Sequence, residues 1–153
     1  MPRELVEQII EASRWAGSAR NAQPWRFAAV TGPRTREALS RLGAYAQHLA
    51  GAPVVLVLAE PVPGGRDTQF DLGRVTQNIT LAAQSLGLGS CLATFYPSEN
   101  AEAAASIAGF GPGWAARHAL AVGWPAPAEV TGRPAIPGGR LPVSELLRWH
   151  DGP

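Results

Sequence analysis

Hydrophobic positions near the start of the chain recur at the interval of one helical face. Leu5, Ile9, Ala12 and Ala16 lie four, three and four residues apart, with Ile10 and Trp15 widening the stripe. A helix is expected over Arg3 to Ala16, ended by Gly17. The pattern then changes period. Trp25 to Thr31 is aromatic and apolar and predicts a strand, and Gly32-Pro33 turns the chain into a helix running to about Leu49. Ala52 to Ala59 carries Val54, Val55, Leu56, Val57 and Leu58 in a row, which predicts a strand buried on both faces. Glu60 to Arg66 holds two Pro and two Gly and reads as a loop. Leu72, Val75, Ile79, Ala82 and Leu86 keep helical spacing from about Thr68 to Leu86, with Asp67 as a candidate cap and Gly87 as a left-handed end. Ile79 to Ala83 is apolar nearly all round, as in a helix buried in a core or across an interface.

The remaining elements are shorter. Ser90 to Phe95 predicts a strand and Ala101 to Ile107 a helix. Gly109 to Gly113 reads as a loop and His118 to Trp124 as a strand. Pro125 to Pro142 contains five Pro and three Gly, which predicts an extended arm, and Ser144 to His150 a terminal helix. Alternating helices and strands with no internal repeat and no linker predict one α+β or α/β domain over residues 1–153, built on one sheet.

Composition narrows the function classes. The chain has 153 residues, 46% hydrophobic and 16% charged, enough for one core but not for two ordinary domains. Low charge leaves little surface to solvate a monomer, which favours an oligomer. All thirteen basic residues are Arg, scattered and balanced by twelve acids to a net charge of +1, so no nucleic-acid footprint is expected. This usage of Arg, Ala, Gly and Pro points to a GC-rich bacterial genome. The single cysteine, Cys91, cannot close an internal disulfide and reads as a small apolar filler. No secretory leader and no apolar run near ~20 residues is visible, so a cytoplasmic, non-membrane protein is expected. His48, His118 and His150 show no metal-ligand spacing with one another or with Cys91.

The chemistry concentrates in Ala16-Gly17-Ser18-Ala19-Arg20-Asn21-Ala22-Gln23-Pro24-Trp25-Arg26-Phe27, between the first helix and the first strand. The carboxamides of Asn21 and Gln23 both donate and accept hydrogen bonds. They suit the edge of a heterocycle that alternates donors and acceptors, such as an isoalloxazine ring. This stretch resembles the "A-R-W-A-P-S-x-x-N-x-Q-P-W-x-F" segment of the FMN-dependent nitroreductase family. Phe70-Asp71-Leu72-Gly73 through Asn78, Leu81-Ala82-Ala83 and Leu86-Gly87-Leu88-Gly89-Ser90-Cys91 resemble its central helix and following turn. Val122-Gly123-Trp124-Pro125-Ala126 resembles its "G-Y-P-A" strand end. Arg140-Leu141-Pro142-Val143, with Glu145 and Trp149, resembles its closing "R-x-P-L-x-E-x-x-x-W". The likeness runs from about residue 9 to residue 150 in order.

The resemblance implies an α+β, three-layer α/β/α fold with a mostly antiparallel central sheet and a C-terminal arm, 125–153, exchanged with a partner. It implies a homodimer with FMN sites built from both chains. NAD(P)H would be the reductant and a small electron-poor nitroaromatic or quinone the acceptor. Ser18, Arg20, Asn21 and Gln23 would meet the flavin, and Thr94 and Phe95 would stand where backbone amides face its N5 edge. Arg140 would bind the phosphate. The family's "R-R-S-x-R" opening is not matched, since Met1-Pro2-Arg3 already stands at the first helix, so Arg20 or Arg133 are further phosphate candidates. A second reading is the same fold without reductase activity, holding flavin weakly, binding a deazaflavin, or serving as a partner subunit. Asp71 and Asn78, seven apart on one helical face, are expected to make packing and interface hydrogen bonds. Trp25, Trp124 and Trp149 are expected in core and interface, His118 as a satisfied core histidine.

Overall fold

Every side chain of the central strand β2, Val54–Pro61, is buried except the last. A strand buried on both faces must be covered on both faces, and this one sorts its residues by parity. Val54, Leu56 and Leu58 join one cluster with Ile9, Trp25, Leu72, Val75 and Ile79. Val55, Val57 and Ala59 join another with Leu39, Leu49, Phe95, Ala104 and Ala105. The result is three layers in a computed structural model that describes residues 1–126, 138–150 and 152. Helices α1, Arg3–Ser13, and α3, Thr68–Ser85, cover one face of the sheet. Helices α2, Pro33–Ser40, and α4, Asn100–Ile107, cover the other. Four strands run in the order β1-β2-β4-β3, all pairs antiparallel, with β1 at Arg26–Val30, β3 at Gly89–Thr94 and β4 at Trp114–Gly123. The expected α+β fold with an antiparallel sheet between helical layers is the fold observed.

Several boundaries differ from expectation for physical reasons. The helix expected to reach Leu49 stops at Ser40, and a separate 3₁₀ turn spans Gln47–Gly51. The break lies around Gly43, where a Cβ would come within 2.4 Å of the Thr94 carbonyl oxygen. Only a glycine lets this loop lie against the end of β3, where the Tyr96 N–H and the Asn100 Nδ2 both donate to the Leu42 carbonyl, at 2.9 Å each. Strand β4 begins at Trp114, not His118. A register shift after Leu58 lets Glu60 and Pro61 pair with Ala115 and Trp114, so a stretch that includes two alanines of low strand propensity is drawn into the sheet by its partner. Gly87 takes φ +72 and ends α3, with the Leu88 N–H donating to the Ala83 carbonyl at 2.9 Å. Asp67 stands at the N-terminus of α3 without a capping side-chain bond.

Cys91, expected as a buried filler, is exposed, because β3 is an edge strand with its outer side uncovered. The last helix, α5, is only Val143–Leu146, shorter than the expected Ser144 to His150. Residues 138–150 are exposed throughout, whereas 127–137, including Arg133 and most of the expected arm, lie outside the described residues. No helix among the described residues is long and apolar enough to cross a membrane.

The Gly43 contact makes a direct prediction. Gly43→Ala forces two backbones apart and should cost about 1–3 kcal/mol, as overpacking does. Urea denaturation reads this, and an unchanged midpoint would show that the loop is not held against Thr94.

Candidate functional site

The loop that follows α1 is fastened at its base by a charge. Asp71, one turn into α3, is 2% exposed. Its Oδ2 accepts the backbone N–H of Ala19 at 2.9 Å, and its Oδ1 lies 3.9 Å from the Arg74 guanidinium. Gly17 is where that guanidinium fits, since a Cβ there would come within 2.7 Å of Arg74 Nη2. A buried carboxylate needs such donors, and the loop supplies one from its own backbone.

Within the loop, Ser18 Oγ accepts the Gln23 N–H at 2.9 Å, and the Ser18 carbonyl accepts the Asn21 N–H at 3.0 Å. These bonds close a tight coil in which Arg20, Asn21 and Gln23 take φ values of 53, 54 and 46. Left-handed conformations in residues other than Gly cost on the order of 1–3 kcal/mol each and persist where surrounding bonds over-determine them. Gln23 Nε2 donates to Asn21 Oδ1 at 3.1 Å, which ties the two carboxamides together. Among the described residues, Asn21 Nδ2 remains as an unpaired donor and Gln23 Oε1 as an unpaired acceptor, both on exposed side chains.

One flank of the coil opens on a cleft of about 580 Å³, lined by Arg20, Gln23, Arg26, Arg66, Asp67 and Trp114 among others. Arg26 Nη1 donates to the Trp25 carbonyl at 2.7 Å, and its guanidinium lies 5.6 Å from the centre of the Trp114 ring. The cleft sits where β1 begins, β2 ends and β4 begins.

The other sequence-derived candidates lie elsewhere. The strand order puts β1 and β3 at opposite edges. Thr94, at the end of β3, is therefore about 14 Å across the sheet from β1 at ~4.8 Å per strand. Thr94 Oγ1 is 3.2 Å from His118 Nδ1. Burial holds the His118 imidazole below the ordinary histidine value of 6.5, and the neighbouring Arg117 guanidinium adds to the effect. Phe95 is a core residue whose N–H donates to the Arg117 carbonyl at 2.9 Å. Arg140 is exposed and donates to the Gly139 carbonyl at 2.7 Å. Thus the structure gathers Ser18, Arg20, Asn21 and Gln23 in one coil, while Thr94, Phe95 and Arg140 stand outside its cleft. No cluster of three or more His, Cys, Asp or Glu that could hold a metal ion is present among the described residues.

Two features are not singled out in the sequence, and a third takes a more specific role than expected. Asp71 was expected to pack, and it does so as the anchor of the loop. Arg66 and Trp114 meet in the cleft although 48 residues separate them, and no spacing signals it. Glu60, buried, accepts a hydrogen bond from Gln69 Nε2 and joins β2 to the first turn of α3. A lone acid at the end of an apolar run was the available signal.

With this geometry in hand, the comparisons with known proteins are specific. The sequence profile described as "Nitroreductase family" matches residues 1–46 and 39–124. A protein of Methanothermobacter thermautotrophicus, provisionally named NADH dehydrogenase/NAD(P)H nitroreductase, is 32% identical over 105 residues, or 65% of this chain and 54% of its own length. The chain thus spans little more than half of this curated relative. An FMN-dependent nitroreductase of Clostridium difficile aligns at a TM-score of 0.76 with 18% identity, covering 87% of this chain and 82% of its own. A Bacteroides fragilis nitroreductase with bound FMN aligns at 0.71 with 21% identity, covering 92% and 87%. At these identities the structural matches establish the fold.

Two predictions follow from the site's hydrogen bonds. Asp71→Ala leaves the Ala19 N–H without its acceptor and should cost about 1–3 kcal/mol. Hydrogen exchange at the Ala19 amide should accelerate, and Asp71→Asn should restore part of the protection; unchanged exchange in the alanine variant contradicts the anchoring role. His118 binds its proton less tightly folded than unfolded, so the unfolded chain protonates first as pH falls. Its contribution is fully present above pH ~6.5 and is lost as pH drops from there through the folded-state value. Urea midpoints at about pH 8 and about pH 5.5 should therefore differ less in His118→Gln than in the parent. An equal decline in both would assign the effect to other groups.

Proposed function

The chain belongs to the nitroreductase family, and on that premise we propose an FMN-dependent oxidoreductase that takes hydride from NAD(P)H and reduces nitroaromatic or quinone-like acceptors. The observation that carries this reading is the coil at Ser18–Gln23. It is anchored at Asp71, held in costly left-handed backbone, and presents an unpaired donor and an unpaired acceptor from Asn21 and Gln23. That donor set fits the flavin's pyrimidine edge, which carries two carbonyl acceptors and an N–H donor between them. Bound FMN supplies the electron transfer; the chain supplies position and the exclusion of water.

Ser18, Arg20, Asn21 and Gln23 would hold the ring edge, and Thr94, backed by Phe95, would form the wall at the strand end. Arg140, whose exposed guanidinium donates among the described residues to the Gly139 carbonyl, suits the phosphate. Its relatives support the cofactor: one solved neighbour is FMN-dependent and another holds FMN. NAD(P)H enters from the name of the Methanothermobacter relative.

A homodimer belongs to the same reading. The coil and Thr94 stand at opposite edges of one sheet, so a site drawing on both is most simply built from two copies. Leu81 on α3 is 53% exposed, Leu92 on β3 is 49% exposed, and Trp149 near the C-terminus is 80% exposed. In the proposed dimer Leu81 and Leu92 would be covered by the partner's arm, and Trp149 would be part of the arm that reaches across. A cytoplasmic setting agrees with a single, unpaired cysteine.

The test is the visible spectrum of the purified protein after soaking with FMN. The reading expects oxidised-flavin bands that bleach with NADH or NADPH and return with a nitroaromatic. A protein that stays colourless contradicts it, as does a monomer by light scattering at micromolar concentration. Arg140→Ala should weaken FMN by about tenfold, the scale of a charged hydrogen bond, and leave riboflavin unchanged. Equal losses for both ligands would remove Arg140 from the phosphate site.

A further inference from the structure

The cleft beside the coil carries more positive charge than the flavin edge requires. Arg20, Arg26 and Arg66 line one wall system of about 580 Å³, within the ~300–1,000 Å³ typical of small-molecule sites. Arg20 and Arg66 form no ion pair among the described residues. Two carboxylates also line it. Asp71 is turned inward to the Ala19 N–H and toward Arg74, so its charge is already compensated. Asp67 is exposed at the start of α3, where the positive end of an 18-residue helix faces it. Among these charges lies an aromatic surface, the Trp114 ring, with the Arg26 guanidinium 5.6 Å from its centre. Guanidinium groups around an aromatic face suit a ligand that joins a dianionic phosphate to a flat base.

Resting on the flavoprotein reading above, we propose that the cleft binds the adenosine 2′-phosphate of NADPH, so that Arg66, with Arg26, makes the protein prefer NADPH to NADH. Two phosphomonoesters come with this chemistry, that of FMN and that of NADPH. The cleft favours the second because its aromatic ring and its arginines share one compartment. In adenosine 2′-phosphate the base and the phosphate are both carried on one ribose, whereas in FMN an open ribityl chain separates them. The coil forms one wall of the cleft, so a reductant whose nicotinamide meets the flavin there extends its adenosine end along the adjoining surface. A 2′-hydroxyl in place of the phosphate, as in NADH, leaves Arg66 solvated and contributes nothing to discrimination.

Arg66 is the residue to change, because it is exposed in a loop and forms no ion pair among the described residues. Titration calorimetry on the protein as purified, with adenosine 2′,5′-bisphosphate against adenosine 5′-monophosphate, reads the cleft without any turnover. The bisphosphate should bind at least about tenfold more tightly, and Arg66→Ala should remove that advantage while Arg66→Lys keeps part of it. In steady state, Arg66→Ala should raise the KM for NADPH by about tenfold and leave kcat and the KM for NADH unchanged. Equal binding of the two nucleotides, or equal KM changes for the two reductants, overturns the proposal. A loss of FMN affinity in Arg66→Ala with riboflavin unaffected also overturns it, and gives the cleft to the flavin's phosphate. Failure of the flavoprotein reading itself would show as a colourless protein, and the calorimetric comparison would still decide what the cleft binds.

Discussion

The structure depends on one strand that has no solvent face. With Val54, Leu56 and Leu58 on one side and Val55, Val57 and Ala59 on the other, β2 cannot be stable unless helices cover both sides. That need fixes the three layers and puts α1 and α3 together on one of them. Once α1 and α3 are neighbours, the chain leaving α1 must pass the start of α3 before entering β1. Asp71 stands there, buried, and its carboxylate takes the Ala19 N–H. The sheet's hydrophobic constraint is thus converted into a fixed position for a polar coil.

The coil stores backbone strain that the rest of the fold sustains. Three left-handed residues would relax in a free loop, but Ser18, Asp71 and the Asn21–Gln23 pair each hold part of it. Strain of this kind collects where a ligand must be met by groups already in place. Charge is divided along the same line. The carboxamides face outward from the coil, and the guanidinium groups of Arg20, Arg26 and Arg66 line the cleft beside it.

The layers and the coil were legible in the sequence for different reasons. Five consecutive apolar residues announce a doubly buried strand, and helical spacing at Leu72, Val75 and Ile79 announces its cover. Asn21 and Gln23 before Pro24-Trp25 announce a polar loop entering a strand. The break at Gly43 was not legible, because its cause is the Thr94 carbonyl 51 residues away. The early start of β4 at Trp114 was hidden likewise: Trp114 and Ala115 join the strand because Pro61 and Glu60 offer partners after a register shift. Positive φ at Asn21 is ordinary for that residue, but at Arg20 and Gln23 it is not, and the bond that anchors the coil comes from Asp71, 52 residues from Ala19. The cleft was invisible for the same reason, since its arginines and Trp114 come from three separate segments.

The central claim is that the strained coil is the surface that receives the flavin's edge. Side-chain amide resonances report this directly during titration with FMN. The Asn21 and Gln23 carboxamide signals should shift with the binding isotherm. The Asn100 carboxamide, already committed to the Leu42 and Tyr96 carbonyls at 2.9 and 3.1 Å, should not. Saturable FMN binding that leaves the Asn21 and Gln23 signals in place would contradict the account.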